Sequence, residues 1–284
     1  MRLPTTASAL LAFFCLVAVA QAAVVFDFSV ELRDEKPYGA ATLHLTEKIY
    51  DTTGAVPPAT LSGTAWLPKG ISIRPQFLKK PYVCNLRKLN ETKNPSVCRR
   101  ARIGTGRALI DIRPLLADPF PVDLQIFLAK ARAKGAVASY GVFGVPDQRA
   151  PIVRNSPGIR NARALVIGSI FDAPTPDGVY GYRLEDPFTQ IGIKFRVAEA
   201  ELTLPGLTIT KRVRTCARPK GRSSGSRCRK TKTKVKRIFW VTPPDCPASR
   251  KLSWKADLRL EGGISLSTVR ETPCPRFALK GEER

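Results

Sequence analysis

"KLSWKADLRLEGGISLSTVRE", residues 251–271, decides the fold class. Leu252, Trp254, Ala256, Leu258 and Leu260 recur every second residue, the period that places side chains on one face of a strand. The alternate positions are mostly polar, so one face is suited to a core and the other to solvent. A three-residue loop, Glu261-Gly262-Gly263, sets Leu260 against Ile264 and Leu258 against Leu266, keeping the apolar side chains on one face. A two-residue Gly-Gly turn would send Ile264 and Leu266 to the other side, so the longer loop with a left-handed glycine is expected. Cys246 and Cys274 flank the open end of this C-terminal hairpin (246–274), where a bridge would tie its strands.

The same alternation recurs upstream. Ala41 to Thr46, Ala108 to Ile112, Val122 to Leu128, Leu165 to Phe171, Ile191 to Val197, Ala200 to Leu204 and Arg237 to Val241 all read as short strands. Twenty-four prolines and twenty glycines leave few windows long enough for a helix. The best of those is Ile126 to Ala138, "IFLAKARAKGAVA", which competes with a strand there. The pattern predicts an all-β fold, a β-sandwich of antiparallel sheets over residues 23–284.

The N-terminus supplies a compartment. "MRLPTTASALLAFFCLVAVAQAA" has one arginine, an apolar stretch from Ala7 to Ala20 and the small-x-small site Ala20-Gln21-Ala22, the signature of a signal peptide over residues 1–22. No later segment has the run of about 20 apolar residues that a spanning helix needs. A secreted or extracytoplasmic, envelope-associated protein is expected. Six cysteines follow that leader: Cys84, Cys98, Cys216, Cys228, Cys246 and Cys274. An even number in an exported chain reads as disulfides. Many pairings are open to six cysteines, and three local bridges are the expectation adopted: Cys84 with Cys98, Cys216 with Cys228, and Cys246 with Cys274. Zinc is disfavoured, since there is no Cys-x-x-Cys and only one histidine.

Two stretches, "CNLRKLNETKNPSVCRRARIGTGRA" and "CPASRKLSWKADLRLEGGISLSTVRETPCP", carry a resemblance. In Cys84, Leu86, Leu89, Cys98, Ala101, Ile103, Gly104 and Gly106, and in Cys246, Trp254, Gly263 and Cys274, the chain resembles uncharacterised exported β-rich proteins of high-GC Gram-positive bacteria. That resemblance implies an extracytoplasmic β-rich fold and no established activity. It carries over no catalytic residue.

Enzyme motifs are weak here, and neither a catalytic residue, a metal ligand nor a cofactor is expected. Gly221-Arg222-Ser223-Ser224-Gly225 matches a nucleophile elbow in letters, but that turn needs a strand before it, a helix after it and a histidine base. His44 lies between Leu43 and Leu45 and reads as a solvent-facing strand residue. Ile103-Gly104-Thr105-Gly106 lacks the third glycine of a phosphate loop and reads as a tight turn. Asp118-Pro119-Phe120 and Asp186-Pro187-Phe188 echo each other, most simply as shared turn chemistry. Asp172, Asp177, Glu185 and Asp186 are turn acids that become the first choices for a catalytic pair if a cleft forms. Two acids converging in a pocket would favour an extracytoplasmic hydrolase with a carboxylate cleft.

The strongest functional signal is charge. The chain carries 47 Lys and Arg against 23 Asp and Glu, a net +24. Residues 211–237 hold thirteen of those cations and no acid. If Cys216 opposes Cys228 in a disulfide-closed hairpin (207–237), Arg214 faces Lys230 and Arg212 faces Lys232, with Arg229, Lys234 and Lys236 adding to the ribbon. Like charges across a ladder cost up to about 1 kcal/mol per pair, and a disulfide worth about 3 kcal/mol offsets them. Such a ribbon suits a polyanion bound through counterion release. No aromatic lies between Gly206 and Lys236 to stack bases, so nucleic acid is disfavoured against an anionic envelope polymer or lipid headgroups. The expected role is non-enzymatic binding or envelope structure.

Overall fold

The computed structural model describes residues 24–33, 42–73, 77–113, 115–188, 194–205, 208–216, 228–236, 240–241 and 246–274. The leader (1–22) and the Gly-x-Ser-x-Gly tip (221–225) lie outside the described residues. In chain order the strands are β1 (Val24–Arg33), β2 (Thr42–Asp51), β3 (Thr60–Pro68), β4 (Ser72–Ile73), β5 (Arg102–Asp111), β6 (Phe120–Ala129), β7 (Ala136–Pro146), β8 (Ala164–Asp172), β9 (Tyr180–Pro187), β10 (Arg196–Leu204), β11 (Thr208–Cys216), β12 (Cys228–Lys236), β13 (Trp240–Val241), β14 (Lys251–Leu260) and β15 (Ser265–Pro273). The α-helices among the described residues are α1 (Leu86–Thr92), α2 (Pro151–Arg154) and α3 (Pro157–Arg160).

Eleven strands form one antiparallel sheet in the order β1-β2-β10-β5-β6-β7-β8-β9-β3-β14-β15. The fold is therefore all-β, but its layering differs in detail from two stacked sheets. The sheet curls until its first and last strands meet: Arg270 Nε on β15 donates to the Phe28 carbonyl on β1 at 2.9 Å, and its Nη2 lies 3.6 Å from Asp27 Oδ1. Near-closure hides the two edges that an open sheet would present. β5 shows what permits the curl. A β-carbon on Gly104 would lie 2.7 Å from the Thr203 carbonyl, and one on Gly106 would lie 2.3 Å from that of Glu201. These glycines let β10 cross close over β5, next to a register shift between Arg102 and Gly104. Residues 103–106 are thus strand, not the tight turn expected.

The C-terminal hairpin has the register argued from its sequence. Leu258 pairs with Leu266, and the amide of Leu260 donates to the Ile264 carbonyl at 2.9 Å across Glu261–Gly263, with Gly262 at φ +75°. Leu252, Trp254, Leu258 and Leu260 are buried, and Trp254 Nε1 donates to Thr272 Oγ1. Cys246 is bonded to Cys274.

The helix candidate at Ile126–Ala138 is instead the end of β6, a loop and the start of β7. Ile126 and Leu128 face the barrel interior, while Phe127 is buried on the outside beneath the disulfide segment. A strand covered on both sides loses its alternation, and so imitates a buried helix. The covering segment contains the Cys84–Cys98 bond and α1. Leu86 and Leu89 pack there with Phe127 and Phe143, close over Gly141, whose β-carbon would lie 2.7 Å from Leu86 Cδ2.

β11 and β12 pair separately from the barrel sheet. Their backbone register places Cys216 opposite Cys228, Arg214 opposite Lys230 and Arg212 opposite Lys232. The side chains of this ribbon, with the expected bridge and polyanion contacts at Arg212, Arg214, Arg229, Lys230, Lys232, Lys234 and Lys236, lie outside the described residues.

Candidate functional site

The side-chain period of two directs alternate residues of every barrel strand inward. β6 turns in Phe120, Val122 and Leu124, β8 turns in Val166, and β10 turns in Ala200 and Leu202. Together with Phe26 and Phe28 of β1 they surround a cavity of about 260 Å³. Lining residues Ile159 and Ala162 belong to the β7–β8 connection that carries α2 and α3. Neither lysine, arginine nor histidine lines this cavity among the described residues.

Two inward positions break the apolar rule. On β2 the inward row Leu43, Leu45, Glu47, Ile49 contains a carboxyl, and on β9 the row Tyr182, Leu184, Asp186 ends in another. Glu47 pairs with Phe28 and Ala200, and Asp186 pairs with Gly63. β2 and β9 lie on opposite walls in the strand order, so the acids enter the cavity from two sides. Burial pushes the Glu47 carboxyl from 4.5 up to about 7, and the charge of Asp186 adds to that. Burial likewise pushes Asp186 from 3.8 up to about 6, with the Tyr140 hydroxyl pulling the other way. Both residues keep some accessible surface, which faces the cavity and, for Asp186, an outer groove beside Arg132 and Arg259.

Behind Asp186 stands Tyr140 of β7. Gly168 lies opposite it on β8, and a β-carbon there would be 2.6 Å from the Tyr140 hydroxyl and 2.7 Å from Asp186 Oδ1. The two oxygens are neighbours without the geometry of a hydrogen bond, and neither has another partner among the described residues. Burial, then the charge of Asp186, holds the Tyr140 hydroxyl well above its ordinary value. Orphaned polar atoms are uncommon in native interiors, and each calls for an explanation.

Of the four acids singled out in the sequence, only Asp186 reaches the cavity. Asp177 accepts from Thr175 and from the Val179 amide in its own turn, Glu185 faces outward to Arg183 at 2.9 Å, and Asp172 ends β8. The convergent pair is therefore Asp186 with Glu47, a residue missed by sequence reasoning. The signal for it was a carboxylate standing in phase with Leu43, Leu45 and Ile49. His44 is half-buried, with Nδ1 3.0 Å from Thr203 Oγ1. The Asp-Pro-Phe echo has no structural counterpart, since Asp186 lies within β9 whereas Asp118 precedes β6. Among the described residues no cluster of three or more His, Cys, Asp or Glu is placed to hold a metal ion, and no helix is long and apolar enough to cross a membrane.

The sequence matches no protein-family model, and no curated protein or solved structure proves significantly similar to it.

Proposed function

We propose that this is an exported, non-enzymatic binding protein that encloses a small apolar molecule in its barrel. The supporting observation is the cavity of about 260 Å³ lined almost wholly by apolar side chains. Ligand sites are typically concave and apolar, with few polar groups, and apolar cavities smaller than this one take up hydrocarbon. Disulfides at Cys84–Cys98 and Cys246–Cys274 fit an oxidising compartment. Two acids in one cavity also suit a hydrolase. Yet besides Glu47 and Asp186 only Thr64 and Asp257 among the lining residues carry polar side-chain atoms, and Asp257 turns outward to Trp66 Nε1 and Ser267. A sugar or peptide would find little there to replace its hydration, which favours binding over hydrolysis. Calorimetric titration with octanol tests the proposal: saturable binding to the wild type and its loss in Ala108→Phe and Ala200→Phe, each checked for a cooperative melt, are expected. Failure of octanol to bind the wild type refutes it.

A second reading concerns the surface. The β11–β12 register, with Arg212 and Arg214 opposite Lys232 and Lys230, favours a basic ribbon that contacts an anionic envelope polymer or lipid headgroups, with nucleic acid the weaker partner. Both readings describe a binding protein and can hold together, since they use different parts of the chain.

A further inference from the structure

Two buried carboxyls on opposite walls of an apolar cavity, with no base lining it, are half of an ion pair. Burying an unpaired carboxylate is costly, so burial favours the protonated form of both acids and moves their titration up, that of Glu47 to about 7 and that of Asp186 to about 6. Tyr140 of β7, across β8 from β9, stands beside Asp186, and its hydroxyl cannot supply positive charge. Arg132 and Arg259 share the outer groove with Asp186, but among the described residues neither forms an ion pair with it. The charged residues of the lining strands, Arg183 and Glu185 on β9, Lys255 and Asp257 on β14, Asp27 on β1 and Glu199 on β10 among them, stand in the outward-facing rows. Near the lining residues Ile159 and Ala162, Arg163 is committed to the carbonyls of Arg160 and Ala162. Nothing described in the protein therefore neutralises the pair.

We infer that the molecule enclosed in the barrel is an amphiphilic amine, its hydrocarbon against the apolar wall and its ammonium group between the carboxyls of Glu47 and Asp186. This rests on the cavity-binding reading above and names the ligand class for the same site. A charge-assisted bond in a low-dielectric cavity is about twice as strong as a neutral one. The ammonium group lets both acids ionise on binding, and a carboxylate ligand would meet like charge instead.

Octylamine, octanol and octanoate, titrated calorimetrically into the mature protein, separate the possibilities. Above the titration of both carboxyls, octylamine is expected to bind about tenfold or more tighter than octanol, the gain of one to two charge-assisted bonds, with octanoate weakest. Below it the amine loses that advantage, because both acids hold their protons. Glu47→Gln and Asp186→Asn should each reduce the ratio of octylamine to octanol affinity severalfold. Equal binding of amine and alcohol at every pH overturns the inference and leaves the cavity reading standing. Preference for octanoate overturns it as well, and no binding of any of the three overturns both. Should either variant misfold, the pH dependence of the wild-type preference decides by itself.

Discussion

Tyr140 and Gly168 stand directly opposite each other on β7 and β8, and a β-carbon on the glycine would lie 2.3 Å from Tyr140 Cζ. The phenol is folded over the space that the missing side chain leaves. Gly168→Ala is therefore expected to cost about 2 kcal/mol through overpacking. Adding Tyr140→Ala should return part of that loss, a coupling measurable by denaturant titration of the double-mutant cycle. Simple additivity would show that the contact is not the cause.

Stability should fall as pH rises. In the unfolded chain Glu47 and Asp186 release their protons near 4.5 and 3.8, whereas in the fold they keep them to about 7 and about 6. The folded state thus binds more protons between those limits, and stability declines across them before levelling off above about pH 7. Other acids act in the opposite sense. Hydrogen bonds from Arg149 hold Asp147 low; Asp111, despite burial, is held low by Arg113; both contributions vanish as pH drops below the ordinary carboxylate range. Urea titrations across pH should show a maximum near the acidic end of the window, and Glu47→Gln should flatten the decline toward about pH 7. A wild-type stability that is flat from pH 4.5 to about 7 contradicts the burial argument.

Arg270 joins β15 to β1 through the Phe28 carbonyl. Its side chain is 49% exposed, so the loss in Arg270→Ala should be modest, about 1 kcal/mol. Hydrogen exchange gives the sharper readout: amides of β1 and β15 should exchange faster while those of β6 and β7, in the middle of the sheet, do not change. Uniform acceleration would mean that the seam has no separate opening.

The Cys246–Cys274 bond closes a loop of 28 residues. The loop-entropy estimate gives about 3–4 kcal/mol for that closure. Replacing both cysteines with alanine should lower the denaturation midpoint accordingly, with the folded circular dichroism spectrum retained. A change below about 1 kcal/mol would show that the hairpin is held by its register and packing alone.

For the ribbon, substituting Lys230, Lys232, Lys234 and Lys236 with glutamine should weaken retention on an anionic matrix and flatten its salt dependence, since fewer counterions are released. Octanol binding inside the barrel should not change. Equal retention of wild type and variant removes the ribbon from the surface reading.

Much of the fold was legible because burial on one side of a strand leaves a period of two in the chain. The 251–271 hairpin shows this best: its inward leucines and its glycine loop together admit one register, and that register is present. Legibility failed where burial was two-sided. Around Phe127 both faces are covered, and the apolar run no longer reports which side is which. Half of the candidate site was visible, since Asp186 stood among the acids worth watching, while Glu47 was hidden by its plain appearance as one charged residue in a strand.

Composition and periodicity by themselves determined an antiparallel all-β chain, the hairpin register and the concentration of charge in residues 211–237, because each follows from neighbours in sequence. Only the tertiary structure decided that the strands curl into one nearly closed sheet. Only that closure carries β2 and β9 to facing walls, and so brings Glu47 and Asp186, well over a hundred residues apart in the chain, into a single low-dielectric cavity. The physical reason is that a carboxyl's ionisation depends on what surrounds it in space. Its neighbours in the chain do not specify those surroundings.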